Sequence, residues 1–95
     1  MTSKVNASHI LVKTEGEAYI LLKKIREGMN FEKAAEENSI CPSRKKGGNL
    51  GWFGRGMMVK EFEQACFSGN ARKGQILSPI KTQFGWHIIR IDDTK

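Results

Sequence analysis

Apolar and polar residues alternate through Val5–Val12 (VNASHILV), so that Val5, Ala7, His9 and Leu11 share one side and Asn6, Ser8, Ile10 and Val12 the other. This is the period of a strand, with a histidine set into an otherwise apolar face. The period then becomes helical. Thr14-Glu15-Gly16-Glu17 reads as a capping box, and a helix to about Glu27 follows with Ala18, Leu21, Leu22 and Ile25 as its apolar stripe and Gly28 as its stop. Asn30 caps a second helix, Phe31–Asn38, burying Phe31, Ala34 and Ala35. Cys41-Pro42-Ser43 is expected to end it, since proline disfavours helix at the residue before it. Asn49–Phe53 suits a short strand. Val59–Phe67 suits a third helix, with Phe62, Ala65 and Cys66 inward and Gly69 as its stop. Ile76–Ile80 and Trp86–Asp92 read as strands joined through Thr82-Gln83-Phe84-Gly85, and His87, Ile89 and Ile91 share one face of the last. The order β-α-α-β-α-β-β implies an α+β domain, one antiparallel sheet covered by helices.

The totals narrow the class. Ninety-five residues, 39% apolar and 27% charged, suit one domain spanning 1–95 with a compact core. The net charge of +6 and pI near 9.6 would attract anions, whether nucleic acid, acidic protein or anionic lipid. Arg44-Lys45-Lys46, Lys23-Lys24 and Arg72-Lys73 are the candidate anion-facing clusters, and a scattered solvated charge surface is the competing reading. No apolar run reaches 18 residues, and the first residues show no signal-peptide pattern. Cys41 and Cys66 fit no disulfide framework. These features lead to the expectation of a cytoplasmic, reduced monomer, with a peripheral place at an anionic membrane surface as the variant that the charge allows.

The stretch GGNLGWFGRGMM (47–58) holds five glycines and asks for a function. A phosphate loop needs Lys-Ser/Thr after its second glycine. Gly51 and Gly56 have the right spacing but lead into Met57-Met58, and the pair Gly69 and Gly74 leads into Gln75-Ile76. The RNA-recognition signature is also absent. The glycines are better read as allowing turns and close backbone approach. Adjacent Met57 and Met58, with Phe62 one turn on, offer an adaptable apolar surface, with ordinary core packing as the alternative.

His9 and His87 are the only histidines, and both lie on apolar strand faces. If the first and last strands are neighbours, the imidazoles can hydrogen-bond and fix one another's tautomer. With Cys41 added, three arrangements are open: a thiolate nucleophile with its base, a zinc site, or a polar network beside an apolar pocket. The spacing of Cys41, Cys66, His9 and His87 matches no zinc pattern.

Taken in order, ASHILV (7–12), NFEKAAEENS (30–39), CPSRKKGGNLGWFGRGMM (41–58), EFEQACF (61–67) and FGWHIIRI (84–91) resemble the parvulin-type peptidyl-prolyl cis/trans isomerases over almost the whole chain. The resemblance implies a four-stranded antiparallel sheet wrapped by three to four helices. It implies a proline pocket from Met58 and Phe62 with Leu50 at its edge, and a polar side made of His9, His87, Thr82 and Cys41, the last at a position that is Asp or Cys in the family. No metal or organic cofactor is implied. Phosphate-directed members carry a longer basic loop after the first strand. Here Lys13 runs straight into Thr14-Glu15-Gly16-Glu17, so no phosphate requirement is expected, and no partner module such as a WW domain is expected before the chain ends at Lys95. The implied activity is non-covalent rotation of X–Pro bonds in unfolded or flexible protein segments. The competing classes are a chaperone-like peptide-binding module with little turnover and a basic surface protein that binds nucleic acid or anionic membrane.

Overall fold

A computed structural model of the chain describes residues 3–67 and 72–95. In chain order the elements are β1 (Val5–Val12), α1 (Glu15–Arg26), α2 (Phe31–Asn38), a 3-10 turn (Pro42–Lys46), β2 (Asn49–Phe53), α3 (Lys60–Cys66), β3 (Ile80–Thr82) and β4 (Gly85–Thr94). The strands form one antiparallel sheet in the order β2-β1-β4-β3, so the first and last strands are its central pair.

Both faces of the sheet are covered, which explains why β1 is buried along nearly its whole length. On one face Ile10, Val12 and Ile88 pack against α1 and α2 through Leu21, Leu22, Ile25 and Phe31. On the other, Val5, Ala7, Ile89 and Ile91 pack with Phe53, Phe62, Cys66 and Phe67. The caps work as the sequence suggests. Thr14 Oγ1 accepts from the Glu17 amide at 3.2 Å, and Asn30 Oδ1 accepts from the Lys33 amide at 2.8 Å. Glu15 and Glu17 open α1 while Lys23, Lys24 and Arg26 close it, each sign at the end of the helix dipole that favours it.

Ion pairing and polar contacts fasten α2 to the sheet and tie β2 to the central strands. Arg90 on β4 pairs with Glu32 of α2 at 2.5 Å and with Asp92 at 2.7 Å, while its guanidinium lies over the Phe31 ring. Asp92 also accepts from Ser8 Oγ at 2.5 Å and from Asn49 Nδ2 at 3.2 Å, which satisfies the buried Ser8 hydroxyl at an irregularity in β1 pairing.

Three expectations need correction. Ile76–Ile80 is not a strand. Ile76 makes a single bridge to Arg90, and regular pairing starts only at Ile80, after Pro79, which has no N–H to give a ladder. Cys41-Pro42-Ser43 is not what stops the second helix: it ends at Asn38 as expected, with Ser39 already extended as its C-cap, and Pro42 instead opens the 3-10 turn, where its missing N–H costs nothing. The third helix is shorter at both ends than Val59–Phe67, with Val59 as N-cap and Phe67 as C-cap. Ala65 is only half-buried. Gly69 as a helix stop lies outside the described residues. Asn49–Phe53 and Phe31–Asn38 appear with the boundaries read from the sequence.

Gly48 shows what the glycine-rich stretch is for. Its φ is +87°, its carbonyl accepts from the His9 amide at 2.9 Å, and a Cβ there would sit 2.4 Å from the His9 carbonyl oxygen. Only glycine lets this segment close on β1. Gly48→Ala should therefore lower unfolding free energy by about 1–3 kcal/mol or more. Gly16 lies in α1 with nothing near its missing Cβ, so Gly16→Ala should raise it by about 0.5–1 kcal/mol. Urea denaturation of the two variants checks both signs.

Candidate active site

Adjacent placement of β1 and β4 joins the two histidines. Across the pair His9 faces Ile89 and Leu11 faces His87, so His9 and His87 are diagonal neighbours on one face. Their Nδ1 atoms are 2.9 Å apart and the rings are stacked, with centroids at 5.1 Å. One ring donates this hydrogen bond and the other accepts it. His87 Nε2 lies 2.7 Å from Thr82 Oγ1, which also accepts from the Phe84 amide at 3.1 Å. The hairpin from β3 to β4 thus supplies both the hydroxyl and the imidazole. His9 Nε2 is buried and has no hydrogen-bond partner among the described residues. Phe62 of α3 meets both rings edge-on, with centroids 5.7 Å from His9 and 5.5 Å from His87.

The histidine pair forms the floor of a cavity of about 480 Å³, whose walls are almost entirely apolar. Leu50 of β2, Met58 before α3 and Phe62 line it. Leu11, Ile40, Pro42, Val59 and Phe84 also line it and were not singled out in the sequence. Ile40 and Phe84 are 51% and 56% exposed, which marks them as the rim. Their signal was weak, because each falls in a connection where no period assigns a face. Met58 reaches the cavity from the segment before α3 rather than by helical spacing with Phe62. Met57 does not line it. That residue is 67% exposed, and its sulfur accepts from the Gly54 amide. Arg55 lies over the Phe67 ring, away from the cavity lining.

Cys41 lines the cavity with the histidines, but among the described residues no hydrogen bond joins its thiol to either imidazole. Ser39 sets the wall that carries it. The buried Ser39 Oγ accepts from the amides of Leu11 at 3.1 Å and Cys41 at 3.3 Å, while the Ile40 amide donates to the Leu11 carbonyl at 2.8 Å. Cys66 belongs to the core and not to the site; burial pushes its thiol up to about 12. Among the described residues no group of three His, Cys, Asp or Glu side chains is placed to hold a metal ion. Lys23 and Lys24 are exposed on α1, and Arg44, Lys45 and Lys46 are exposed on the 3-10 turn, all outside the cavity lining.

Burial disfavours the charged form of both imidazoles. His9 is held down at about 4 by burial and then by its neighbour His87, and His87 is held at about 4 by burial. At neutral pH the pair is therefore an uncharged hydrogen-bonding unit. The unfolded chain binds these protons near pH 6.5 and the folded one only near 4, so acid favours unfolding. The contribution to stability should be complete above about pH 6.5 and be lost progressively as pH falls towards 4. Urea midpoints measured across that range should decline, and His9→Phe with His87→Phe should flatten the decline.

Comparison with known proteins agrees with this geometry. The family model described as the PPIC-type PPIase domain matches residues 1–95. A foldase protein PrsA of Geobacillus kaustophilus is 47% identical over 91 residues, covering 95% of this chain and 32% of that protein. The chain thus spans about a third of the length of the curated relatives it matches. A crystal structure of the peptidylprolyl isomerase PrsA from Bacillus anthracis superposes with a TM-score of 0.94 at 40% identity, over 99% of this chain and 43% of that one. The solution structure of the parvulin of Nitrosopumilus maritimus superposes with a TM-score of 0.84 at 45% identity, over 98% and 99%. An imidazole pair on neighbouring central strands, an apolar cavity above it and a match that runs the full length lead to one conclusion: the chain belongs to the PPIC-type peptidyl-prolyl isomerase family, the parvulins.

Proposed function

We propose that this domain accelerates cis/trans rotation of X–Pro bonds in unfolded or flexible protein segments, without covalent chemistry and without a phosphate requirement. The carrying observation is an apolar cavity of about 480 Å³ floored by two neutral, mutually hydrogen-bonded histidines. The barrier is about 20 kcal/mol because rotation breaks amide resonance. At the twisted midpoint the carbonyl is less polar than in the planar amide, so an apolar slot favours the midpoint. Each ~1.4 kcal/mol of that preference gives about tenfold in rate. Met58, Leu50 and Phe62 grip the pyrrolidine ring. The edge-on contacts of Phe62 with both imidazoles couple the grip to the polar floor. Thr82 fixes the outer nitrogen of His87 and so orients the pair.

Covalent catalysis by Cys41 finds no support, because a thiol nucleophile needs a base in reach and among the described residues no hydrogen bond joins the Cys41 thiol to either imidazole. A phosphate site likewise lacks its parts. Only Lys13 and Thr14 separate β1 from α1, the Thr14 hydroxyl is engaged in capping, and Glu15 and Glu17 follow. A dianion placed there would face two carboxylates.

Exchange spectroscopy on an X–Pro peptide should show faster isomerisation with this protein; binding without acceleration would identify a holding module instead. Met58→Ala should lower kcat/KM by about tenfold, the cost of roughly 1.4 kcal/mol of ring contact. It is a cleaner test than Phe62→Ala, which would also cost about 3–5 kcal/mol of stability. Cys41→Asp should keep most of the activity, and a thousandfold loss would revive the thiol. Phosphorylating a Ser-Pro serine should not improve turnover.

A further inference from the structure

A second recess adjoins the rim of the apolar cavity. Ile40 and Pro42 also line this recess of about 590 Å³, completed by Glu37 and Asn38 of α2, Ser39, and Arg44 and Lys45 of the 3-10 turn. The two recesses are therefore neighbours on either side of the Ile40–Pro42 ridge, and their chemistry differs: the first is apolar, the second mostly polar. Two cations and one carboxylate, Glu37, line the second, which leaves it with an excess of one positive charge.

The turn that presents these cations is firmly framed. The Gly47 amide donates to the Arg44 carbonyl at 3.0 Å and the Gly48 amide to the Ser43 carbonyl at 2.9 Å, with Gly47 in the left-handed region. In 3-10 geometry residues three apart eclipse, so Pro42 and Lys45 lie on one face, about 6 Å apart along the axis at ~2.0 Å per residue. An extended peptide covers that span in about two residues at ~3.3–3.6 Å each. From the ridge residue Pro42, an extended chain that leaves the cavity over the ridge would reach Lys45 within two or three residues, with Arg44 lining the same recess.

We propose that this second recess is a substrate subsite for an acidic side chain, Asp or Glu, two or three residues from the proline. The proposal rests on the isomerase reading. It assigns Arg44 and Lys45 to substrate selection, with the cavity supplying turnover and the recess supplying a charge contact that depends on salt. Both residues are exposed and pack into no core, so replacing them leaves the fold and the cavity intact.

The test uses matched X–Pro peptides that carry Ala or Glu two or three positions from the proline, on either side. Exchange spectroscopy should give the better-placed Glu peptide a kcat/KM about two- to fivefold above its Ala partner at low salt. The gain should vanish near 0.5 M salt, by screening. Arg44→Gln with Lys45→Gln should abolish the gain while leaving the Ala peptide unchanged. Arg44→Glu with Lys45→Glu should transfer it to a peptide with Lys at that position. Equal turnover of Glu and Ala peptides at every position, or a gain that survives the double Gln variant, overturns the subsite while the isomerase stands. If no peptide is accelerated, the isomerase reading fails. The subsite is then read from binding: amide shifts at Arg44 and Lys45 that favour the Glu peptide support it, and their absence overturns it too.

Discussion

The antiparallel pairing of β1 with β4 at the centre of the sheet is the constraint on which the rest depends. It places two histidines 78 residues apart in sequence within one hydrogen bond. It also buries both faces of those strands, so α1 and α2 must cover one side and α3 the other. A one-residue slip of register between them would put the two histidines on opposite faces of the sheet and break the pair. The bridge of Ile76 to Arg90 and the short β3 then extend the sheet on the far side of β4, where Thr82 meets His87.

Burying two imidazoles costs free energy unless they are hydrogen-bonded and neutral. The pair meets both conditions by bonding to itself and to Thr82, at the cost of a narrower range of stability in acid. The same burial keeps charge out of the cavity. That suits a reaction whose midpoint is less dipolar than its start, since a charged floor would favour the planar amide. Phe62 shares in both roles, packing on Phe53 in the core while forming the cavity wall.

The glycine-rich stretch and the 3-10 turn before it act as one frame. Gly47 and Gly48 bring the chain close against α2 and β1. The turn residues then face outward with their positive charges, and Leu50 and Met58 face the cavity. The Arg90–Glu32 pair and the Asp92 network lash the neighbouring elements in place. An apolar slot and a basic recess thus share a ridge built from Ile40 and Pro42.

Most of the elements could be read directly from the chain. The caps at Thr14 and Asn30, the alternation through Val5–Val12 and the apolar stripes of α1 and α2 are local, because hydrogen bonds and side-chain period are set by residues a few positions apart. The site residues were legible by type: histidines stand out on apolar strand faces, and the resemblance to parvulins gathers them with Thr82, Cys41, Leu50, Met58 and Phe62. What the sequence could not decide lies where one segment's face is set by another. Ile40, Pro42, Val59 and Phe84 line the cavity from connections that have no period of their own. Met58 arrives there through a loop, and Ile76–Ile80 loses its strand at Pro79. The alternating pattern told which way His9 and His87 point, but only the neighbouring places of β1 and β4 in the sheet made them a pair. Contact across 78 residues depends on strand order, and no local period records that order.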